Sequence, residues 1–470
     1  MRIYFVSLGC DKNLVDSEKM LAILCRAGYE LTDVPEQAEV IVVNTCAFIH
    51  DAKEESIETL LELAEYKKNG NCQVLIAAGC LAERYQEEIQ AEMPEIDGVV
   101  GTAAYDSILE AVGQALEGKR AVWTKELTYL PAGLTDRVSS GVGHVGYIKI
   151  SEGCNKNCSY CAIPSMRGTY RSVPMEELVE EAVKLTARGV RELILVAQET
   201  TLYGVDLYGK KMLPQLLERL SQIRDLVWIR VLYCYPEEIT VELADVLRDN
   251  PKICRYLDLP IQHCNDGILK KMGRLTNKKQ LKEKIGMLRQ RVPGLALRTT
   301  LISGFPGETN EQHEECLAFV RELKFDRLGV FPYSPEEGTR AAGFAEQVDE
   351  ETKRARADEI MEVQQQVIFD TNESLVGRRF EAIVDGYLPE EDVYVARTYR
   401  DAPDIDGCVF FRAPHELLSG TFVTLTVTAA RGYDLTAKWC EAQQCEEEDP
   451  IRTGIAPAES VDPALRNKED

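Results

Sequence analysis

The chain has 470 residues, of which 45% are hydrophobic and 28% charged, and this balance predicts several globular domains and excludes extensive disorder. Its 78 acidic and 54 basic residues give a net charge of −24, which is atypical of nucleic-acid-binding proteins and favours a basic protein or a small molecule as partner. No apolar stretch is long enough to cross a membrane and no signal peptide is recognisable, so we expect a cytoplasmic protein.

The first third of the chain contains three short apolar runs that are typical of buried parallel strands, Ile3–Leu8, Val40–Val43 and Val74–Ala77. Helical patterns such as Asp16–Ala27 and Ala52–Tyr66 separate them, which predicts an open parallel sheet covered by helices.

A cysteine follows each of the three runs, namely Cys10, Cys46 and Cys80. Because the carboxyl ends of parallel strands share one edge of a sheet, and ligands bind at that edge, we expect the three thiols to converge there. The alternative is that each cysteine is a small buried residue at a strand end. The chain has fifteen cysteines and no secretory signal, which favours metal or cluster ligation over disulfides.

Six further strand-like runs, with helical patterns such as Met175–Ala187 and Lys278–Arg291 between them, predict a partial (β/α)6 barrel. The runs are Tyr147–Ser151, Glu192–Ala197, Trp228–Tyr233, Tyr256–Pro260, Ala296–Ser303 and Arg327–Tyr333. A long polar helix follows over Asp349–Asn372.

The last ordered part of the sequence contains short β-rich runs separated by Gly, Asp and Pro, which indicate a small all-β barrel. These runs are Phe380–Asp385, Val393–Thr398, Cys408–Phe411 and Thr421–Ala429. The predicted fold class is therefore α/β plus all-β. We expect an N-terminal domain (1–125), a linker (126–144), a central barrel (145–371), a β-domain (372–441) and an acidic disordered tail (442–470).

The most specific motif is Cys154-x3-Cys158-x2-Cys161, which follows the first barrel strand. Three closely spaced thiolates can bind one face of a 4Fe–4S cluster, and the absence of a nearby fourth cysteine leaves one iron open for a substrate. The alternatives are a zinc site or a chance spacing. Structural zinc sites prefer four protein ligands, and no histidine follows Cys161 closely.

These cysteines, with Tyr160 between them, resemble the radical S-adenosylmethionine (SAM) motif. Further segments resemble the methylthiotransferases of that superfamily, and the C-terminal β-domain resembles a TRAM domain. The matching segments are Ser7–Glu18, Val43–Cys46, Ala78–Cys80, Ile163–Gly168 and Gly304–Thr309.

The resemblance implies two 4Fe–4S clusters. Cys154, Cys158 and Cys161 would hold the cluster that binds SAM and generates a 5′-deoxyadenosyl radical, because a saturated carbon has no group that acid–base chemistry can remove. Cys10, Cys46 and Cys80 would hold an auxiliary cluster that carries the inserted sulfur, and a second SAM would supply the methyl group. No side chain is expected to act as a catalytic acid or base.

Several other residues are candidates through the resemblance. The cofactor-binding candidates are Tyr160, Arg167, Gly304, Pro306 and Gly307. From the sequence alone the glycine-rich run could be a simple tight turn, Arg167 and Arg171 could be solvated loop cations, and Tyr160 could simply pack. We expect His263 to be a structural histidine and Cys264 a small filler.

The family has one branch that modifies tRNA adenosine and one that modifies an aspartate of small-subunit ribosomal protein twelve at its β-carbon. Three segments resemble the protein-modifying branch, namely Cys10–Asp16, Ile150–Cys154 and Phe331–Thr339. The TRAM-like region Asn372–Cys440 carries seven basic and eleven acidic residues, a net charge of −4, which suits a basic protein better than RNA.

The sequence therefore predicts a methylthiotransferase that acts on ribosomal protein twelve, free or in the ribosome, and does not bind nucleic acid or membranes directly. The alternatives are a tRNA adenosine 2-methylthiotransferase and a non-catalytic iron–sulfur binding module. Three-cysteine motifs without a fourth ligand argue against the non-catalytic module. No motif specifies the reductant or the donor of the inserted sulfur.

Overall fold

The computed structural model of the chain describes residues 1–139 and 141–440. The predicted acidic tail, 442–470, lies outside the described residues. The described part contains two six-stranded parallel sheets and one closed five-stranded barrel, which confirms the predicted fold class.

The first sheet is entirely parallel and has the order β2-β1-β3-β4-β5-β6. Its central strands are buried at every position because helices cover both faces, and their sequences VIVVNT and VLIAAG are correspondingly apolar. The strands are β1 (Arg2–Ser7), β2 (Glu30–Leu31), β3 (Val40–Thr45), β4 (Val74–Gly79), β5 (Gly98–Val100) and β6 (Ala121–Trp123).

Six helices accompany this sheet, and the first begins directly after Cys10. They are α1 (Asp11–Arg26), α2 (His50–Ala64), α3 (Tyr66–Asn69), α4 (Cys80–Arg84), α5 (Gln86–Glu92) and α6 (Ile108–Leu116). Helix α1 begins five residues before its predicted start. The sequence did not indicate the first turn, because that turn is polar and lacks the apolar periodicity of a surface helix. Lys12, Asn13 and Asp16 are nevertheless buried, since this turn lies against the second sheet.

The linker between β6 and the second sheet contains no helix or strand among its described residues. It is fixed by Arg137, which is buried and forms ion pairs with Glu18 of α1 and Glu181 of the second region.

The second sheet contains the six predicted barrel strands in the order β14-β13-β12-β11-β10-β7, all parallel. These are β7 (Val145–Lys149), β10 (Glu192–Val196), β11 (Trp228–Val231), β12 (Ile253–Asp258), β13 (Ala296–Ser303) and β14 (Arg327–Pro332). A short antiparallel pair, β8 (Ser151–Glu152) and β9 (Arg171–Ser172), brackets the cysteine loop.

Helices connect these strands and bury the largest apolar core of the molecule. They are α7 (Ile163–Arg167), α8 (Met175–Ala187), α9 (Val205–Tyr208), α10 (Leu213–Ser221), α11 (Val241–Asp249), α12 (Asp266–Met272), α13 (Lys278–Arg291) and α14 (Asn310–Leu323). The long helix α15 (Glu350–Glu373) then leads to the C-terminal barrel.

The C-terminal barrel closes in the order β15-β16-β17-β19-β18. Its strands are β15 (Arg379–Leu388), β16 (Val393–Thr398), β17 (Val409–Arg412), β18 (Phe422–Arg431) and β19 (Asp434–Trp439). The sequence analysis missed β19, because its sequence DLTAKW has little of the β-branched character that marked the other four strands.

Buried ion pairs attach this barrel to the amino-terminal ends of the second sheet's strands. Arg397 of β16 pairs with Glu192, the first residue of β10, at 2.7 Å. Asp401 pairs with Arg327, the first residue of β14. The small barrel therefore lies at the end of the second sheet opposite to the loops that carry the cysteines.

Candidate active site between the two sheets

Three cysteines meet at the carboxyl-terminal edge of the first sheet. Cys46 and Cys80 directly follow β3 and β4, and Cys10 lies three residues after β1. Burial raises the pKa of the Cys80 thiol to about 12; the Arg167 guanidinium opposes this shift, and negative charge at Cys46 and Cys10 adds to it. The structure thus brings the three thiols within one another's electrostatic range.

A glycine in the left-handed φ region precedes three of the six candidate cysteines. Gly9, Gly79 and Gly153 have φ angles of +87°, +89° and +75°. A Cβ atom at Gly79 would lie 2.1 Å from Asn44 Oδ1, and one at Gly153 would lie 2.2 Å from the carbonyl oxygen of Thr169. Only glycine fits these two positions, so both Gly-Cys pairs mark sharp turns that fix where the following cysteine leaves the strand.

The second group of cysteines lies on the loop between β8 and α7. Cys154 and Cys158 are buried, and Cys161 is half-buried. The Cys154 N–H donates to the carbonyl oxygen of Gly168 at 3.1 Å, which closes the loop. Burial raises the pKa of the Cys161 thiol to about 12, and negative charge at Cys158 and Cys154 adds to the shift. The three thiols thus share one loop and lie within one another's electrostatic range.

Arg167 joins the two cysteine-bearing loops and is only 2% exposed. Its Nη1 donates to Asp16 Oδ2 at 2.7 Å and to Glu152 Oε2 at 3.1 Å, and its Nη2 donates to Asn13 Oδ1. Lys149 forms ion pairs with the same two carboxylates. Asn13 and Asp16 belong to the first sheet's helix α1 and Glu152 to the second region, so this buried network holds the two groups of cysteines side by side.

The predicted SAM contact of Arg167 stays a prediction, and the same is true of Tyr160. The Tyr160 ring packs edge-on against Phe305, with 6.4 Å between ring centroids. Phe305 in turn contacts Tyr333 at 5.2 Å and Phe344 at 6.3 Å. Tyr160 therefore lies beside an aromatic cluster that abuts the second group of cysteines.

The glycine-rich run after β13 forms a tight turn that Glu308 closes by accepting a hydrogen bond from the Gly304 N–H. The Gly307 N–H donates to the carbonyl oxygen of Glu346 at 2.7 Å. Gly304 and Pro306 are buried beneath the start of α15. These contacts account for the sequence pattern structurally, and a role of Gly304, Pro306 and Gly307 in binding a cofactor stays a prediction.

His263 lies in a buried cluster with Cys264 and Cys316, whose ligand atoms are within 4.8 Å of one another. The Asn265 N–H donates to His263 Nδ1 at 2.9 Å, and Nε2 lies 3.5 Å from Glu308 Oε1. Both ring nitrogens are therefore occupied by hydrogen-bond partners, and the geometry favours the structural role predicted for this histidine over metal binding.

Three buried or half-buried polar residues near the cysteines escaped the sequence analysis. Lys12 follows Cys10 by two residues, and its Nζ lies 3.3 Å from the centroid of the Tyr233 ring. Burial raises the pKa of the Glu199 carboxyl to about 8, and its Oε2 has no hydrogen-bond partner. Glu199 and Tyr233 follow β10 and β11 within three residues, so their position at strand ends was the signal that could have identified them.

Sequence models of three families match consecutive parts of the chain. They are Uncharacterized protein family UPF0004 over residues 2–101, the Radical SAM superfamily over residues 148–320 and the TRAM domain over residues 376–440. The three matches fall on the first sheet, the second sheet and the closed barrel.

Relatives of known name match over almost the whole chain. The ribosomal protein uS12 methylthiotransferase RimO of Lachnoclostridium phytofermentans is 56% identical over 93% of this chain and 99% of its own length. The proteins of the same name from Pelotomaculum thermopropionicum and Desulforudis audaxviator are each 48% identical over 93% of this chain, and over 99% and 96% of their own lengths. The chain belongs to the uS12 methylthiotransferase family.

A solved structure supports the fold of this uS12 methylthiotransferase family member. The radical SAM methyltransferase TsrM from Kitasatospora setae, bound to cobalamin and a [4Fe-4S] cluster, superimposes with a TM-score of 0.52 and 16% identity, and covers 72% of this chain and 76% of TsrM. Within residues 1–139 and 141–440, no helix is both long enough and apolar enough to cross a membrane.

Proposed function

We propose that this chain inserts a methylthio group at the β-carbon of an aspartate in ribosomal protein uS12. The observation that carries the proposal is the pair of three-cysteine groups held side by side by the Arg167 network, in a chain that matches a uS12 methylthiotransferase over 93% of its length. Two cysteine groups suit a reaction that must both activate a carbon and deliver sulfur.

Each group of cysteines fits an iron–sulfur cluster. Cys154, Cys158 and Cys161 would hold one 4Fe–4S cluster, and Cys10, Cys46 and Cys80 a second. Burial raises the pKa of the Cys80 and Cys161 thiols and so disfavours their free thiolate forms. Bound metal ions stabilise the thiolate form, so these thiols suit a metal cluster. When bound, the clusters and SAM would supply the radical chemistry and the sulfur.

The chain's own side chains would hold the reactants and exclude water. The buried cation of Arg167 lies near Cys80 and offsets the negative charge of thiolate ligands. The aromatic cluster of Tyr160, Phe305 and Tyr333 provides an apolar wall beside the second group of cysteines. Such a wall protects a reactive intermediate from solvent.

The surface charge of the TRAM domain supports a basic protein as partner. Between residues 372 and 440, the exposed charged side chains are seven acidic and three basic. The remaining four acidic and four basic side chains balance in number, so the net charge of −4 lies on the surface. An RNA-binding module needs a basic surface to neutralise phosphates, so this distribution disfavours tRNA as the substrate.

Mass spectrometry after anaerobic turnover tests the proposal. The reconstituted protein is given SAM, sulfide and a reductant, with uS12 and bulk tRNA offered in parallel. We expect a methylthio mass gain on an aspartate-containing peptide of uS12. A gain on tRNA adenosine would keep the chemistry and overturn the substrate.

The cysteine assignments are tested in the same assay. Cys10→Ala and Cys158→Ala should each abolish the mass gain, because each removes one ligand from one of the two groups. Cys25→Ala is the matched control, since Cys25 lies on α1 outside both groups and its loss should leave the product yield unchanged. Full activity of either test variant would contradict the assignment.

A further inference from the structure

Lys12 places a cation between the two halves of the candidate active site. It lies in the first turn of α1, two residues after Cys10, and is 7% exposed. Its Nζ lies 3.3 Å from the centroid of the Tyr233 ring, and Tyr233 follows β11 at the carboxyl-terminal end of the second sheet. The ammonium thus faces the place where the auxiliary cysteines meet the mouth of the partial barrel.

Lys12 has no carboxylate within ion-pair distance in the part of the chain that the structure describes. The other three buried lysines of that part, Lys19, Lys149 and Lys353, each pair with at least one carboxylate. The neighbouring Asp11 is engaged elsewhere, because its Oδ2 accepts a hydrogen bond from the Tyr233 hydroxyl at 3.2 Å. A buried cation that lacks a carboxylate partner can bind one from a ligand without breaking an existing ion pair.

The ring beneath Lys12 is held in a strained position. Tyr233 has a φ of +60°, which residues with a side chain adopt rarely. Its N–H donates to Asp258 Oδ2 at 3.0 Å and its hydroxyl donates to Asp11, so two carboxylates fix the residue from both ends. Strain of this kind concentrates at ligand-binding sites, where it fixes a geometry before the ligand arrives.

We propose that Lys12 is a specificity-determining residue that binds the side-chain carboxylate of the target aspartate. The inference rests on the proposed function and deepens it. A charge-assisted hydrogen bond from Nζ to the γ-carboxylate fixes the adjacent β-carbon beside the auxiliary cysteines. The adenine of a tRNA offers no carboxylate, so the same cation discriminates against the substrate of the tRNA-modifying branch.

A double-mutant cycle on substrate binding tests the inference. The full-length, cluster-loaded protein and its Lys12→Met variant are each titrated with uS12 and with uS12 whose target aspartate is replaced by asparagine. We expect the parent to bind the aspartate form roughly 10- to 100-fold more tightly than the asparagine form, and Lys12→Met to bind the two forms equally. Lys12→Arg, which keeps the cation, should restore part of the preference.

Three outcomes would overturn the inference. If the parent binds both forms of uS12 equally, it does not recognise the carboxylate of the target aspartate. If the Lys12→Met variant retains the parent's preference for aspartate, the carboxylate is recognised by a residue other than Lys12. A Lys12→Met variant that retains the preference and shifts only the midpoint potential of the auxiliary cluster would assign the cation to the cluster instead.

Folding and cluster loading are monitored separately. Methionine can still pack on the Tyr233 ring but loses the cation–π attraction of the ammonium, so the melting temperature should fall only slightly. Iron content per chain should equal that of the parent. The binding readout is independent of turnover, so the two proposals can fail separately. Absence of methylthio transfer by the parent would refute the proposed function. The effect of Lys12→Met on the preference for aspartate tests the role of Lys12 only.

Discussion

Single residues fix the site at positions where no other residue fits. Gly79 combines φ +89° with ψ −150°, a conformation essentially confined to glycine, immediately before Cys80. A Cβ there would also lie 2.7 Å from the carbonyl oxygen of Thr45. The backbone at this position therefore sets the position of the third auxiliary thiol.

Gly79→Ala should displace Cys80 and empty the auxiliary site. The expected cost is about 1–3 kcal/mol for the backbone conformation, plus the clash. Iron content after reconstitution should fall to roughly half that of the parent, with the second cluster retained. Gly118→Ala is the control, because Gly118 has a φ of +76° with no atom within 4 Å of its added Cβ. Full iron content in Gly79→Ala would refute the argument.

Arg167→Met should lower the free energy of unfolding by about 3–5 kcal/mol, because Lys149 is then the one cation within ion-pair distance of two buried carboxylates in the described part of the chain. Arg248→Met serves as control, since Arg248 pairs with Asp245 and Asp249 at the surface and its loss should leave the stability close to that of the parent. Chemical denaturation of both variants measures the difference. Equal stabilities would contradict the role assigned to the network.

The sequence was sufficient to nominate the six cysteines, Tyr160 and Arg167, but it indicated neither Lys12 nor the partners of Arg167. Cysteines can be located by spacing and by strand ends, which are local properties. The position of Lys12 over Tyr233 and the pairing of Arg167 with Asp16 join residues more than 150 positions apart. Such contacts depend on how two sheets pack, and no local pattern encodes that packing.

Among the helices and strands, the elements with long β-branched or apolar runs were predicted best from the sequence. The predicted bounds Ala296–Ser303 and Met175–Ala187 match β13 and α8. The start of α1 was misplaced because its first turn is polar. Strands β2, β5, β6 and β19 were not predicted, because β2, β5 and β6 are only two or three residues long and β19 alternates polar residues with apolar ones that are not β-branched. Elements that bury polar residues are the ones that join domains here.

Strand β10 illustrates this, because its first residue is a buried carboxylate that binds the TRAM domain. Burial alone would raise the pKa of Glu192, but Arg397 and Arg230 hold it below its usual value of 4.5. A carboxyl with a depressed folded-state pKa stabilises the fold fully above its unfolded pKa, and this contribution is lost as the pH falls through the folded value. Acid should therefore weaken the contact between TRAM domain and barrel.

Glu192→Gln should lower the free energy of unfolding at pH 7 by about 3 kcal/mol, because the buried Arg230 loses its ion-pair partner and the buried Arg397 is left with Asp385. Its stability should also fall less steeply than that of the parent below pH 4.5. Glu381→Gln, at an exposed position of β15, should behave like the parent. Denaturation curves collected across this pH range measure both effects, and parallel curves would argue against them.

At the scale of the whole molecule, surface charge should govern the encounter with uS12. Glu390 and Glu391 are exposed in the turn between β15 and β16, whereas Asp392 has a φ of +53° and accepts a hydrogen bond from the Tyr387 hydroxyl. The first two residues can therefore be changed without disturbing the turn.

The double variant Glu390→Lys/Glu391→Lys should weaken binding of uS12, and the loss should shrink as salt is added because exposed charges are screened. Titrations at two ionic strengths measure both effects. Glu351→Lys/Glu362→Lys, at exposed positions of α15, makes the same change of charge elsewhere. Equal losses in the two double variants would show that net charge alone matters and that the TRAM turn does not bind uS12.

The attachment of the TRAM domain to the amino-terminal end of the barrel has a geometric consequence. Its buried ion pairs cannot separate without exposing several charges at once, so the domain cannot swing toward the cysteines during turnover. The span between the acidic turn and the reacting atoms is therefore constant. A substrate that binds at the acidic turn would therefore present for modification the aspartate that lies at this distance from the bound surface.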